Sequence, residues 1–178
     1  ATYGTQDVFL AASNGFAGGY KRSSRSISCV AIAGTGTQME RDYDADQRIF
    51  QGDLRTAQDI GESAAPRTLE RISPKKPKTG AYPVIFDERI SSSLIGHLLT
   101  AINGTSIARR SSWALDLLGK EVMPANLSLI EDPTRLRVSG SRPFDAEGLP
   151  TQTRSIVKDG ILTGWTLDLA SARKLGLP

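Results

Sequence analysis

Hydrophobic and polar positions follow three successive patterns along this chain: alternation, helical spacing, and then alternation again. Residues 7–12, 20–33 and 39–46 alternate between apolar and polar, and turns rich in glycine, asparagine and serine separate them. A period of two is typical of β-strands, whose successive side chains point to opposite faces. The first fifty residues therefore predict an antiparallel meander.

The third strand of this meander carries several acidic side chains at every second position, which places them on one face. Their spacing opens like a calcium-binding loop, but Gln47 stands where that loop requires glycine. We therefore expect a solvated strand face rather than a metal site. The acidic residues of this face are Glu40, Asp42, Asp44 and Asp46.

Helical spacing begins after residue 52. Apolar residues between Leu54 and Ile72 recur at steps of three and four, which predicts an amphipathic helix with Asp53 as its N-cap. Pro66 lies inside this pattern and is expected to kink or break the helix. The change of pattern predicts two regions: residues 1–52 end an N-terminal region, and residues 53–178 begin a C-terminal one.

A second amphipathic helix is predicted from Asp87 to about Asn103, after a strand at 82–86 that has the composition of a buried one. Its apolar residues stand at steps of four, which places them along one side of a helix. This stripe consists of Ile90, Leu94, Leu98 and Ile102.

The last fifty residues return to strands. Residues 127–130, 153–158 and 161–165 are predicted strands, and Asp159-Gly160 is a strong hairpin signal between the last two. A short helix from Asp168 to Leu175 follows, with Gly176 after its end. Strands, then helices, then strands predict an α+β fold: a mainly antiparallel sheet with amphipathic helices packed on it.

Composition excludes several classes of protein. The chain has 178 residues, is 39% hydrophobic and 23% charged, and carries a net charge of +3, so ordinary globular material is expected and no nucleic-acid partner is indicated. No apolar run approaches the roughly 18 residues of a membrane span. A single cysteine rules out an internal disulfide and suits a reducing compartment, so we expect a cytoplasmic protein.

Zinc chemistry has few candidate ligands in this sequence. A zinc peptidase needs about three protein ligands and a carboxylate that takes a proton from the metal-bound water. The chain contains one histidine, His97, and one cysteine, Cys29. No catalytic residue and no metal ligand set is therefore predicted from this chain alone.

Asp145 and Glu147 are the polar pair that we retain as a candidate site. They stand two positions apart, directly before Gly148. Such a pair could bind a cation, cap backbone amides or receive the amino group of a peptide. The alternative is a structural tie, in which the carboxylates accept backbone N–H bonds that hold a tight bend.

Several segments resemble the PmbA/TldD family, known also as peptidase U62 or modulator of DNA gyrase. The TldD branch carries His-Glu-x-x-x-His on a helix, ending in Gly-His. Alignment on Gly96-His97 puts Ser92 at the first histidine and Ser93 at the glutamate, so this motif is degenerate and the chain is similar to the PmbA (TldE) branch. The resembling segments are 91–97, 113–119, 139–148, 157–162 and 169–176.

The resemblance implies a function for the whole protein, of which this chain is expected to be an internal fragment. It implies a non-catalytic subunit of a two-component metalloprotease that degrades or processes unfolded peptides. The partner would be a TldD-type subunit that holds the zinc, or a second copy of the chain. In the family both branches share a run similar to residues 145–148, which implies an architectural role near the cleft or the partner contact.

Two alternatives from other classes stay open. One is an active zinc metallopeptidase whose ligands are completed by a C-terminal segment outside this chain. The other is a regulator associated with DNA gyrase or nucleic acid. Whether the chain belongs to an enzyme is left undecided by the residues alone.

Overall fold

The computed structural model describes residues 1–177, and these form two compact units. The first unit contains Ala1–Gly80 together with Arg135–Ser141. The second contains residues 81–134 and 142–177. Each unit has its own antiparallel three-stranded sheet, so the predicted α+β class with mainly antiparallel strands is confirmed.

The sheet of the first unit is the predicted meander. Its strands are β1 (Thr2–Ala11), β2 (Ala17–Ala33) and β3 (Glu40–Arg48), paired antiparallel in the order β1-β2-β3. The strands extend beyond the alternating segments, since β1 begins at Thr2 and not at residue 7. The 17 residues of β2 allow both neighbours to pair along it.

Helix α1 (Ala57–Leu69) packs on this sheet and begins later than predicted. Asp53 is not its N-cap, because Asp53 ends a separate 3-10 turn (Gln51–Asp53) before the helix begins; its carboxylate forms a two-bond ion pair with Arg137. Thr56 caps the helix instead. Its hydroxyl accepts a hydrogen bond from the Asp59 amide, and the Asp59 carboxylate accepts one from the Thr56 amide. Pro66 does not break α1, which continues to Leu69; only its final turn follows the proline.

The acidic face of β3 is not solvated, and that prediction was wrong. Asp42 and Asp44 are 6% and 7% exposed, because α1 lies over their face of the sheet. Arg55 and Arg67 both contact Asp44, at 2.8 and 3.3 Å, and Arg71 binds Asp42 at 2.8 Å. Arginines placed on and beside the helix therefore make a buried acidic strand face possible.

The predicted boundary between residues 52 and 53 does not coincide with the division seen in the structure. Ile60, Ala64 and Thr68 of α1 are buried within the first unit. The Thr68 hydroxyl accepts a hydrogen bond from the Asp42 amide and lies 2.9 Å from the Ala64 carbonyl oxygen. A helix held to the meander in this way belongs to it, and the division falls after Gly80.

Three helices and three strands make up the second unit. The helices are α2 (Glu88–Ala101), α3 (Gly104–Ala108) and α4 (Leu169–Leu175); the strands are β4 (Leu129–Glu131), β5 (Arg154–Lys158) and β6 (Ile161–Leu162), in the order β4-β5-β6. The core joins the C-terminal half of α2 to β5 and β6. Its buried residues are Leu98, Ala101, Ile102, Ala114, Ile156, Val157 and Leu162.

The strand predicted at 82–86 is absent from the structure. These residues are extended but belong to neither sheet, and Ile85 is 96% exposed. The apolar stripe of α2 is likewise buried only in its second half, since Ile90 and Leu94 are 55% and 49% exposed. An apolar run indicates that a segment favours a buried, extended conformation. Among the described residues, however, no strand pairs with residues 82–86.

The hairpin and the last helix match their predictions. Asp159 and Gly160 have φ angles of 49° and 82° between β5 and β6, as a tight hairpin turn requires. Gly160 also accepts hydrogen bonds from the Val122 and Met123 amides and donates one to Leu127, so the turn is covered. Asp168 caps α4, and Gly176 ends it in the left-handed conformation.

Candidate functional site

Helix α2 carries the three positions of the degenerate motif on its surface. Asp87 starts the helix by accepting a hydrogen bond from the Arg89 amide. Ser92, Ser93 and His97 are all exposed. The imidazole of His97 is therefore not packed in the core of the second unit. Within residues 1–177, no three histidine, cysteine or acidic side chains form a group that could hold a metal ion.

The geometry of α2 separates the two ends of the motif. The helix is a regular α-helix from Glu88 to Ala101, with no wide turn at Gly96. At about 100° per residue, positions 92 and 97 point about 140° apart. Serine hydroxyls at 92 and 93 are also weak zinc ligands and cannot act as the general base. The residues present on this helix do not fit a zinc centre.

Asp145 and Glu147 lie in a tight loop of the second unit, and each carboxylate receives backbone N–H groups. Asp145 Oδ1 accepts from the amides of Glu147 and Leu149, at 2.8 and 2.9 Å. The Asp145 amide in turn donates to the Leu149 carbonyl. Gly148, at φ 79°, is buried within the same bend. Asp145 thus holds its own loop closed.

Glu147 connects this loop to helix α4. Its two carboxylate oxygens lie 3.3 and 3.0 Å from the amide of Leu169, the first residue of that helix. A carboxylate at this position satisfies an otherwise unpaired amide and interacts favourably with the helix dipole. Hydrogen bonds from the side chain and amide of Ser171 lower the pKa of the neighbouring cap, Asp168. These contacts are of the structural kind; a role in partner contact stays a prediction.

A cavity beside β4 is the feature of the second unit that sequence patterns did not indicate. It has a volume of about 290 Å³ and lies between β4, β5 and the C-terminal end of α2. Leu99 and Ile130, which line it, were predicted only as parts of a helix and a strand. The predicted strand at residues 127–130 was the available signal, but the sequence did not show which helix lies next to it.

Comparison with known proteins agrees with this architecture. Residues 1–72 match the model of the PmbA/TldA metallopeptidase central domain, and residues 79–178 match that of the C-terminal domain. Metalloprotease PmbA of Escherichia coli O157:H7 is 45% identical over 165 residues, which is 93% of this chain and 37% of that protein. The matched regions divide the chain close to Gly80, as the structure does.

Solved structures share the fold. A proposed modulator of DNA gyrase from Bacteroides thetaiotaomicron has a TM-score of 0.92 and 30% identity, covering 99% of this chain and 40% of that one. TldE from Thermococcus kodakarensis has a TM-score of 0.75 and 16% identity, covering 98% of this chain and 40% of that one; its similarity concerns the fold alone.

Together these matches define the class, and the chain belongs to the PmbA/TldD family of metallopeptidases. The chain spans 37–40% of the length of the three relatives compared above. Among residues 1–177, no helix is both long and apolar enough to cross a lipid bilayer.

Proposed function

We propose that this chain is part of a PmbA-like, non-catalytic subunit of a two-component metallopeptidase that processes unfolded peptides. A TldD-type subunit would hold the zinc ion and supply the general base. The observation that carries the proposal is the surface of α2, where Ser92 and Ser93 present hydroxyls at the positions of a ligand and a base. The reducing environment suited to the single thiol, Cys29, supports a cytoplasmic location.

Metal content of the full-length protein tests this proposal. Purified alone, it should hold zinc far below one ion per chain, whereas its TldD-type partner should hold one. One tightly bound zinc per chain would instead favour an active peptidase with ligands outside residues 1–178. That alternative is supported by the name of the Escherichia coli relative, a metalloprotease.

Rebuilding the motif gives a sharper version of the same test. Ser92→His combined with Ser93→Glu should add zinc binding that depends on His97, but only weakly, because positions 92 and 97 diverge on a regular helix. The same two substitutions combined with His97→Gln are the matched control, since they add the same groups but remove the imidazole at position 97. Equal zinc binding by both variants would contradict the alignment on Gly96-His97.

Co-purification tests the partner. The full-length protein should isolate together with a subunit that carries His-Glu-x-x-x-His, and the pair should turn over an unfolded peptide that neither subunit cleaves alone. A stable homodimer without peptidase activity would contradict the two-component assembly. A steep loss of DNA affinity with salt would instead support the gyrase-associated role that the Bacteroides structure's description suggests.

A further inference from the structure

One segment of the chain lies outside the unit that its neighbours in sequence belong to. Arg135–Ser141 is part of the first unit, although the residues directly before and after it are part of the second. It also falls within the region that matches the family's C-terminal domain, whereas residues 1–72 of the first unit match the central domain. We call Arg135–Ser141 the crossing loop.

The crossing loop keeps its shape through hydrogen bonds of its own. At its base the Arg142 amide donates to the Pro133 carbonyl at 2.9 Å. Within it, the Ser141 hydroxyl donates to the Arg135 carbonyl at 2.6 Å, and the Ser141 amide donates to the Val138 carbonyl at 3.1 Å. None of these bonds involves the sheet or α1 of the first unit. The loop can therefore keep its shape without contact to them.

Arg137 anchors the crossing loop on the rest of the first unit. Its Nε and Nη2 donate to the two carboxylate oxygens of Asp53, at 2.9 and 2.6 Å. Its guanidinium also lies over the ring of Phe50, 4.7 Å from the ring centre. Arg22 adds one hydrogen bond to the Ser141 carbonyl. A planar guanidinium held by two parallel hydrogen bonds and an aromatic face has a fixed orientation.

The anchor is of a kind that can be undone. Arg137 has a φ of 62°, in the left-handed region that side chains disfavour, so its contacts with Asp53 must offset a backbone cost. Within residues 1–177, the Arg137 and Asp53 side chains are 59% and 31% exposed. Ion pairs that water reaches are weak and are screened by salt. The docked loop is therefore held by a contact that can break without unfolding either side.

We propose that the crossing loop is a releasable latch, and that Arg137 is the residue that closes it. In the closed state the guanidinium binds Asp53 and lies over Phe50. In the released state the loop keeps its internal hydrogen bonds, Arg137 leaves the left-handed region, and water solvates Asp53. The proposal goes beyond the proposed function, since it concerns a motion of the chain and not its chemistry.

Trypsin cleavage after Arg137 in the full-length protein tests the latch. Trypsin must take this guanidinium into its own specificity pocket, which it cannot do while Asp53 holds it. Cleavage after Lys75, in the exposed linker at residues 73–80, is the internal reference in the same reaction. Asp53→Ala leaves both cleavage sites intact. It should speed cleavage after Arg137 at least about fivefold relative to the reference, the effect of losing one ion pair.

Two matched variants serve as controls for this result. Asp53→Glu keeps a carboxylate for the guanidinium, and cleavage should stay within about twofold of the parent. Asp7→Ala removes an exposed ion pair with Lys21 on the same sheet and should leave cleavage after Arg137 unchanged. Unchanged cleavage with Asp53→Ala, or an equal rise in all three variants, would overturn the latch.

Salt tests the latch in the parent chain, where no substitution can disturb folding. Raising the ionic strength from about 0.05 M to about 0.5 M weakens ion pairs that water reaches. Cleavage after Arg137, relative to the linker reference, should rise in the parent and change little in Asp53→Ala. A parent ratio that does not respond to salt would overturn the latch. Neither measurement depends on zinc or peptidase activity, so failure of the latch leaves the proposed function in place.

Discussion

Helices α1 and α2 differ in the kind of side chain that is buried beside them, and the difference is the opposite of what their sequences lead one to expect. Helix α1 covers a strand face that carries aspartates, and those aspartates are among the most buried polar groups of the described chain. Helix α2 has the stronger apolar stripe, yet Ile90 and Leu94 at its start are about half exposed. Burial of a charge depends on its partners, and exposure of an apolar residue depends on what lies beside it. Neither property belongs to the residue alone.

The largest expected effect comes from breaking the ion pairs under α1. Asp44→Ala leaves Arg55 and Arg67 without their shared carboxylate, and the free energy of unfolding should fall by about 2–3 kcal/mol, less than for fully buried cations. Urea unfolding measures it. Asp7→Ala is the control, since Asp7 is on the same sheet in an exposed pair with Lys21 and should cost below about 1 kcal/mol. Equal losses would show that the burial of Asp44 contributes nothing.

Lowering the pH should remove part of the contribution that ionised Asp44 makes to the free energy of unfolding. Burial raises the pKa of Asp44, but hydrogen bonds from Ser63, Arg55 and the Ala45 amide outweigh it and lower the pKa from 3.8 to about 2. A group with a lowered folded pKa stabilises the protein above its unfolded pKa and loses that effect as pH falls. The stability of the parent should therefore drop between pH 4 and 2. Asp44→Asn should flatten this drop; an unchanged slope would contradict the assignment.

A single hydroxyl gives a smaller test of how α1 is attached. Thr68→Val keeps the shape of the side chain but leaves the buried Asp42 amide without its acceptor, which should cost about 1–2 kcal/mol. Thr68→Ser keeps the hydroxyl and serves as the control for the hydrogen bond. Thermal unfolding of both variants checks the result, and a serine variant that is less stable than the valine variant would contradict it.

The smallest effect is expected on α2. His97→Gln changes an exposed side chain and should alter the free energy of unfolding by less than about 0.5 kcal/mol. Peptidase activity of the pair with a TldD-type subunit should stay within a few-fold of the parent. A near-total loss of activity at unchanged melting temperature would show that His97 is a ligand or a base after all.

The sequence was sufficient to predict features that depend on only a few neighbouring residues. The Asp159-Gly160 turn and the Gly176 terminus were both predicted, because each depends on backbone geometry within a few residues. Period-two geometry also placed Asp42 and Asp44 correctly on one face.

Contacts between distant segments could not be predicted. Nothing near Asp53 in the sequence shows that Arg137, far away along the chain, binds it. Periodicity did not show that α1 covers the acidic face of β3. The same contrast holds for the candidate site. The sequence alone shows that serines occupy positions 92 and 93, whereas the structure was needed to show the hydrogen bonds of Asp145 and Glu147 and the cavity beside β4.

The covered turn at Gly160 has a consequence for how this family can accept new sequence. Hairpin tips are usually the places where insertions and fusions are tolerated, because they project into solvent. A Cβ atom at Gly160 would lie only 2.5 Å from the Met123 carbonyl oxygen, at a φ of +82° that side chains disfavour. Inserted residues therefore cannot be accommodated at this hairpin tip without displacing neighbouring backbone. Evolutionary insertions and engineered tags should therefore occur in the exposed linker at residues 73–80 instead.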